Sequence, residues 1–416
     1  MRDLRESRLV GLDAVRGLAI LGMFAVHVGP APYRDGPGYV LVAADGRAPA
    51  VFTLVAGFSL ALARGGTTPR PGPPPRTTIV RCAVLALLGL ALASLQTGIL
   101  VILAFYAAYF LACEPFTRLR TPVLAAVAAG SAVLGPLASY VLGPPLGVRA
   151  QGRGGTPSLS DLTTWEGAGR ALTDLLVTGA YPLLTYLPYL LIGLVLGRVA
   201  DPRRPGTARR MAGWGTAAAV AGYGGAWLAT ERLGGRERLL AAIAEHHPGA
   251  SAAADPVRAV LARQFGAIPS TSWDWLLIAE PYSQTPLETL GNAGVGGALI
   301  GLAMAFTNPR VLRLLRPLAV VGAMSLSVYV VHALALAWPA YGARSWQALG
   351  WFSAAALAGA CAWRYAWRGS PLRHGPLEWA LRSAAGRHRP ASAPPSSSAP
   401  APPTPSAVGR TPERDR

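Results

Sequence analysis

Asp13, Arg16 and His27 interrupt an apolar run that extends from Arg8 to His27. A charged group at the centre of a membrane helix costs a few kcal/mol, so such residues are seldom placed idly. Arg16 and His27 are eleven residues apart. At ~100° per residue this is about 20° from a whole number of turns, so the two share one helix face, roughly 16 Å apart along the axis. Asp13 stands one turn before Arg16, within pairing reach. An imidazole can deprotonate a hydroxyl or a protonated amine, or be acylated itself. A guanidinium can hold a phosphate or the carbonyl of a thioester donor. The same residues also have a plainer reading: His27 as a hydrogen-bonded interfacial histidine, Asp13 and Arg16 as an ion pair that fixes helix packing.

Two further groups have the right residue types. Ser325, Tyr329 and His332 fall at i, i+4 and i+7, one polar stripe on an apolar helix. They either line a path opposite His27 or hydrogen-bond between helices. Glu280, Tyr282, Ser283 and Thr285 stand just before an apolar run, in a stretch that also holds Pro281 and Pro286. A carboxylate there would orient His27 or bind an acceptor amine or hydroxyl, or the group is a helix cap with a proline-shaped turn. Tyr181-Pro182 and Pro188 are set to kink a span and free carbonyls. Glu378 has Arg373 and Arg382 as nearby partners. His246-His247 lacks metal-ligand spacing, and Cys82, Cys113 and Cys361 form no CxxC motif, so no metal is expected and the cysteines read as small packing residues. No nucleophile elbow or phosphate-binding glycine loop is present.

The elements that carry these residues follow from composition. The 416 residues are 52% hydrophobic and 14% charged, against about 25% charged in a soluble domain. Apolar runs of about 17–25 residues define an all-α, polytopic integral membrane helix bundle. Ten helices are expected, over 9–28, 48–63, 79–95, 98–113, 122–142, 172–198, 211–229, 291–306, 318–337 and 350–367, with amphipathic helices at 234–246 and 254–266. The net charge is +18 and all 38 basic residues are arginine. They cluster in short inter-helix loops, which speaks for membrane topology and against nucleic acid. With the N-terminus cytoplasmic, the inner loops hold twenty-one arginines and the outer loops eleven, the latter being Arg34, Arg47, Arg149, Arg153, Arg170, Arg232, Arg236, Arg238, Arg258, Arg263 and Arg344. This puts both termini of a multi-pass plasma-membrane protein in the cytoplasm, His27 at the outer face and Asp13 and Arg16 near the inner one. Asp13 and Arg16 also interrupt what would otherwise be a signal-peptide core, so the first span is read as uncleaved. A membrane domain over 1–382 is followed by a Pro/Ala/Ser-rich disordered cytoplasmic tail over 383–416.

The first span, Arg8…Leu12-Asp13-Ala14-Val15-Arg16-Gly17…His27, resembles the start of the transmembrane acyltransferase superfamily. The Arg16–His27 interval is similar to the signature of the acyltransferase-three family. Phe52-Thr-Leu-Val-Ala-Gly-Phe-Ser-Leu-Ala-Leu62 resembles the heparan-alpha-glucosaminide N-acetyltransferase catalytic-domain family. Ile102-Leu-Ala-Phe-Tyr106, Tyr181-Pro182, Tyr189-Leu-Leu-Ile-Gly193, Gly197-Arg198 and Gly375-Pro-Leu-Glu-Trp379 with Arg382 resemble the YeiB-like bacterial membrane proteins. These relatives are expected to carry Pro-His-Ser-Gly-Thr where this chain has Pro281-Tyr282-Ser283-Gln284-Thr285. The heparan enzyme's proposed catalytic histidine lies in the loop after the first span. Loop 29–47 has no histidine here, so His27 takes that place.

The resemblance implies an acyltransferase that uses acetyl-CoA or another acyl-CoA as co-substrate. The donor would dock near Asp13 and Arg16, and His27 would catalyse transfer to a hydroxyl or amine of an envelope glycan or exported metabolite. The lipid bilayer is the remaining partner. Two other readings stay open: a small-molecule or ion transporter whose pathway is lined by the same charged face, and a non-catalytic membrane protein. The absence of an internal repeat weighs against the transporter.

Overall fold

Helices form at all ten places where the sequence carries a long apolar run, and at both amphipathic sites. The computed structural model describes residues 2–31, 37–69, 76–146, 155–201, 204, 206–263, 266–306, 308–338 and 344–384. The tail beyond 384, loop residues Arg34, Arg70, Arg149, Arg153 and Arg203, and the side chains of residues 1–9 and Arg263 lie outside the described residues. In chain order the helices are α1 (Arg2–Val28), α2 (Arg47–Ala63), α3 (Arg76–Ser94), α4 (Leu103–Cys113), α5 (Thr121–Leu142), α6 (Trp165–Thr173), α7 (Leu183–Val199), α8 (Thr207–Trp227), α9 (Gly235–His246), the single turn α10 (Pro248–Ser251), α11 (Pro256–Arg263), α12 (Pro286–Ala305), α13 (Pro309–Ala323), α14 (Ser325–Leu336), α15 (Trp346–Ala366) and α16 (Pro376–Ala384). No strand occurs among the described residues.

Four of the described segments are long and apolar enough to cross a membrane: Val10–Val28, Pro37–Ala63, Arg76–Ser94 and Thr121–Leu142. Two bent pairs raise this to six. Trp165–Thr178 and Leu183–Val199 meet at 51°, where Pro182 removes a helical donor; Pro309–Ala323 and Ser325–Leu336 meet at 70°. The structure thus supports four to six spans, not the ten expected. α4 is only 11 residues long because the chain stays non-helical from Gln96 to Ile102. α8 and α12 are rich in glycine and alanine, which carry little hydropathy.

That glycine content sets how the bundle closes. α1 crosses α13 backbone to backbone: a Cβ on Gly17 would strike the Leu318 carbonyl oxygen, and one on Gly322 would strike that of Asp13. Small residues let membrane helices approach where there is no water to squeeze out. Most of the apolar core is one cluster centred on α1, α2, α4 and α7. A second, made by Leu239, Ile243, Val260, Trp275 and Ile278 with Tyr140, builds a separate cap from the long segment between α8 and α12.

The bend at Met324 exposes the first amides of α14, and they are met from fifty residues away. Glu378 Oε1 accepts from the backbone N–H of Leu326 at 2.8 Å and of Ser327 at 3.1 Å, and Oε2 from Ser327 Oγ at 2.5 Å. A carboxylate at a helix N-terminus satisfies orphan donors and the dipole together. Glu378 therefore caps α14 rather than pairing with Arg373 or Arg382.

Candidate active site

The polar residues of α1 have different fates at its two ends. Arg16 Nη1 donates to Asp13 Oδ1 at 2.7 Å and to the Gly322 carbonyl at 3.3 Å, and Nη2 donates to Ser59 Oγ at 2.6 Å. One guanidinium thus ties α1 to α13 and α2 at the glycine crossing. Ser59 passes its own proton to the Val55 carbonyl at 2.7 Å.

At the C-terminal end of α1, His27 Nδ1 lies 3.1 Å from His332 Nε2. The rings meet edge to edge, 5.3 Å between centroids and 12° from parallel, so a ring N–H of one can point at the nitrogen of the other. Phe24 stacks on the far side of His332 at 4.0 Å, and Phe352 meets it edge-on at 5.2 Å. His332 is 3% exposed. Its Nδ1 has no hydrogen-bond partner among the described residues. Arg344 secures the last turn of α1 beside this pair, with Nε on the Gly29 carbonyl at 2.9 Å and Nη2 on that of Val26 at 2.6 Å. A cation there offsets the negative end of the helix dipole.

His27 lines a cavity of about 10 Å³, room for one water. Tyr181, Tyr282 and Tyr329 line it together with Pro49, Leu100 and Ile102. Tyr329 Oη accepts from the Ile102 N–H at 3.3 Å. Arg16 does not line this cavity. Between the two depths lies Tyr106, paired with Thr53 Oγ1 at 2.8 Å.

The sequence candidates therefore separate. Tyr282, Tyr329 and His332 come together with His27. Ser325, the first residue of α14, does not reach the cavity. Glu280 faces the outer cap, 3.2 Å from Arg258 Nε, and so does not orient His27. Ser283 and Thr285 are fully buried in the turn before α12, where Thr285 caps the helix by accepting from the Glu288 N–H at 3.1 Å.

Glu288 was not a candidate, yet it holds that turn. Oε1 accepts from the Tyr282 N–H at 2.9 Å; Oε2 accepts from Ser283 Oγ at 3.2 Å and from the Gln284 N–H. Tyr282 and Gln284 both have positive φ, 63° and 57°, a conformation costing about 1–2 kcal/mol in a residue with a Cβ. The Gln284 side chain offsets the strain by bonding Thr185 Oγ1 and, at 3.2 Å, the Ala180 carbonyl. From Glu288 the network continues through Asn292 Nδ2 (3.2 Å), and Asn292 Oδ1 accepts from Tyr223 Oη (2.6 Å), which in turn accepts from Arg47 Nε (2.8 Å).

Glu280 and Tyr282 bracket a boundary. On the other side of this turn is an outer cleft of about 200 Å³ lined by Tyr223, Trp227, Glu231, Arg236, Asp255 and Glu280. No group of His, Cys, Asp and Glu able to hold a metal occurs among the described residues.

A family model described as heparan-alpha-glucosaminide N-acetyltransferase, catalytic, matches residues 8–228. The chain belongs to that catalytic-domain family. A second model, described as a protein of unknown function (DUF418), matches residues 251–388. No curated protein and no solved structure matches the chain. The match to the heparan-alpha-glucosaminide N-acetyltransferase catalytic family contains Arg16, His27 and Tyr181; the second contains Tyr282, Glu288, Tyr329 and His332. The imidazole pair joins the two matched segments. The chain is an acyltransferase-like membrane protein.

Proposed function

We propose that the protein moves an acyl group, acetyl in the simplest case, from cytoplasmic acyl-CoA to a hydroxyl or amine of an envelope glycan or exported metabolite. The observation that carries this reading is the His27–His332 pair, 3.1 Å apart beside a cavity lined by three tyrosines. The arrangement that leaves His27 basic has its Nδ1–H donating to His332 Nε2, with the Nε2 lone pair of His27 available to the acceptor. As the acceptor oxygen or nitrogen bonds the acyl carbon, its proton passes to His27 Nε2 and the thioester C–S bond breaks. The imidazolium then protonates the departing thiolate. His332 orients the ring and stabilises its cationic form, and Tyr329, whose hydroxyl accepts from the Ile102 N–H, can donate to the carbonyl oxygen as it gains charge. An acyl group is larger than the present cavity, so Tyr282 or Tyr329 swings aside to admit it.

The acceptor would use the outer cleft. Aromatic faces of Tyr223 and Trp227 with the carboxylates of Glu231 and Asp255 suit a ligand rich in hydroxyls or carrying an amine, and the cleft shares the 280–282 turn with the His27 cavity. The arginine distribution supports both termini being cytoplasmic, which brings donor and acceptor to opposite faces. Asp13 and Arg16 lie toward the donor side. Their mutual bond and the ties to Ser59 and Gly322 support a packing role before any contact with the donor.

Acyl transfer from labelled acetyl-CoA, measured in membranes with wild-type protein and with His27→Ala, tests the proposal. A loss of ~10²–10⁴-fold is expected for a general base. Full activity in His27→Ala removes the assignment, and substrate flux in proteoliposomes without acyl-CoA consumption would establish a transporter instead.

A further inference from the structure

A second cavity, about 530 Å³, runs between α14 and α15. Phe24 and His332 wall it at one end, Trp363 and Pro376 at the other, and Val331 and Trp351 form its rim. Those rim residues are 66% and 76% exposed, so the groove opens sideways, toward hydrocarbon in a membrane chain. Its lining is nearly all aliphatic and aromatic. Of its two polar residues, Ser327 has given its hydroxyl to Glu378, and His332 Nδ1 is buried without a partner among the described residues.

The Trp363 end meets a group of cations. Trp363 Nε1 donates to the Leu372 carbonyl at 2.9 Å, which brings the turn at Pro371–His374 against the end of α15. Arg373 Nε lies 3.0 Å from His374 Nε2. Arg364 follows Trp363 in the last turn of α15, Arg373 sits in the turn that Trp363 holds, and Arg382 is in the last turn of α16 just after it. Burial, and then these three charges, hold His374 below its ordinary value. Glu378 is turned away onto α14. Neither Arg364 nor Arg382 has a salt bridge among the described residues.

We propose that this is an anionic-phospholipid site, with the headgroup phosphate on Arg364, Arg373 and Arg382 and one acyl chain laid in the groove toward His332. Basic pockets between membrane helices bind anionic headgroups, and arginine forks match phosphate oxygens. The groove supplies what a hydrocarbon chain needs and a pantetheine arm does not find: the arm's amides would be buried against carbon without partners. The occupied groove would complete the wall behind Phe24 and His332, so a bilayer lipid backs the imidazole pair.

The site is tested without reference to acyl transfer, by native mass spectrometry of the full chain released from mixed micelles of phosphatidylglycerol and phosphatidylcholine. Wild-type protein is expected to retain phosphatidylglycerol at least about tenfold over phosphatidylcholine. Arg364→Gln with Arg382→Gln should lose roughly fivefold per arginine removed. Gly359→Phe places a ring on the groove wall at a position where a Cβ meets nothing within 4 Å; it should abolish retention while keeping the wild-type Tm in lipid-free detergent. Equal retention of the two lipids, or unchanged retention in both variants, overturns the site. So does displacement by palmitoyl-CoA with no preference between phospholipids, which would give the groove to the donor.

Discussion

The two ends of α1 carry the same kind of residue and use it in opposite ways. Toward the N-terminal end Arg16 is spent: Asp13, Ser59 and Gly322 accept its hydrogen bonds where the backbones of α1 and α13 touch. At the C-terminal end His27 and His332 pair with each other beside a cavity, and His332 Nδ1 has no hydrogen-bond partner among the described residues. Saturated polar groups hold a membrane bundle together, whereas polar groups with spare valence are poised to meet a substrate. The charge of Arg16 makes it the more conspicuous residue in the sequence, yet the geometry gives the chemistry to the neutral pair.

The sharpest way to break this contrast is at His332. His332→Ala should cut acyl transfer by ~10³-fold, about 4 kcal/mol of barrier, because His27 loses its orienting partner. His332→Gln should recover part of the loss, since its amide oxygen can still accept from Nδ1–H. Equal activity in both variants would show that His332 only fills space. The Arg16 end should respond in stability instead. Arg16→Met leaves the Asp13 carboxylate without its partner and should cost about 3 kcal/mol, read as a lowered Tm in detergent. Asp13→Asn combined with Arg16→Met should restore most of it.

Much of this contrast is legible in sequence. Spacing alone puts Arg16 and His27 on one face, and the i, i+4, i+7 stripe correctly faces Tyr329 and His332 toward His27. Ser325 fails because it begins α14, about 10 Å along the helix axis from His332 and so away from the depth of His27. Glu288 was hidden for a different reason. Thr285-x-x-Glu288 reads as an ordinary capping box, in which the glutamate would reach back to the cap residue's own amide. Here it reaches past that residue to Tyr282, Ser283 and Gln284. The kink at Tyr181-Pro182 is local, and so is visible; networks between distant helices are not.

The turn gripped by Glu288 gives a smaller test of where chemistry ends and support begins. Glu288→Gln keeps the shape but replaces an acceptor oxygen by an NH₂, and should destabilise by about 2 kcal/mol. Because Tyr282 belongs to both the turn and the His27 cavity, kcat for acyl transfer should fall more than KM rises; a variant altered in Tm alone would make the turn purely structural.

The smallest effect belongs to the outer cap, far from either end of α1. Arg238 Nη2 lies 2.6 Å from Asp274 Oδ1, and that bond holds the Asp274 carboxyl below its ordinary value of 3.8. A depressed carboxylate stabilises the fold above its unfolded value and loses that contribution as pH falls through the folded one. Asp274→Asn should therefore narrow the difference in cap proteolysis between pH 7 and about pH 3, and leave acyl transfer at pH 7 unchanged.

The central claim is that catalysis and cohesion are divided between the two ends of one helix. Its most direct test is a crossed measurement of acyl transfer and Tm on His27→Ala and Arg16→Met made side by side. The division predicts that His27→Ala loses transfer by at least ~10²-fold with a Tm within a few degrees of wild type, while folded Arg16→Met, assayed well below its lowered Tm, keeps transfer within a few-fold. Wild-type transfer in His27→Ala, or transfer abolished in a correctly folded Arg16→Met, would contradict it.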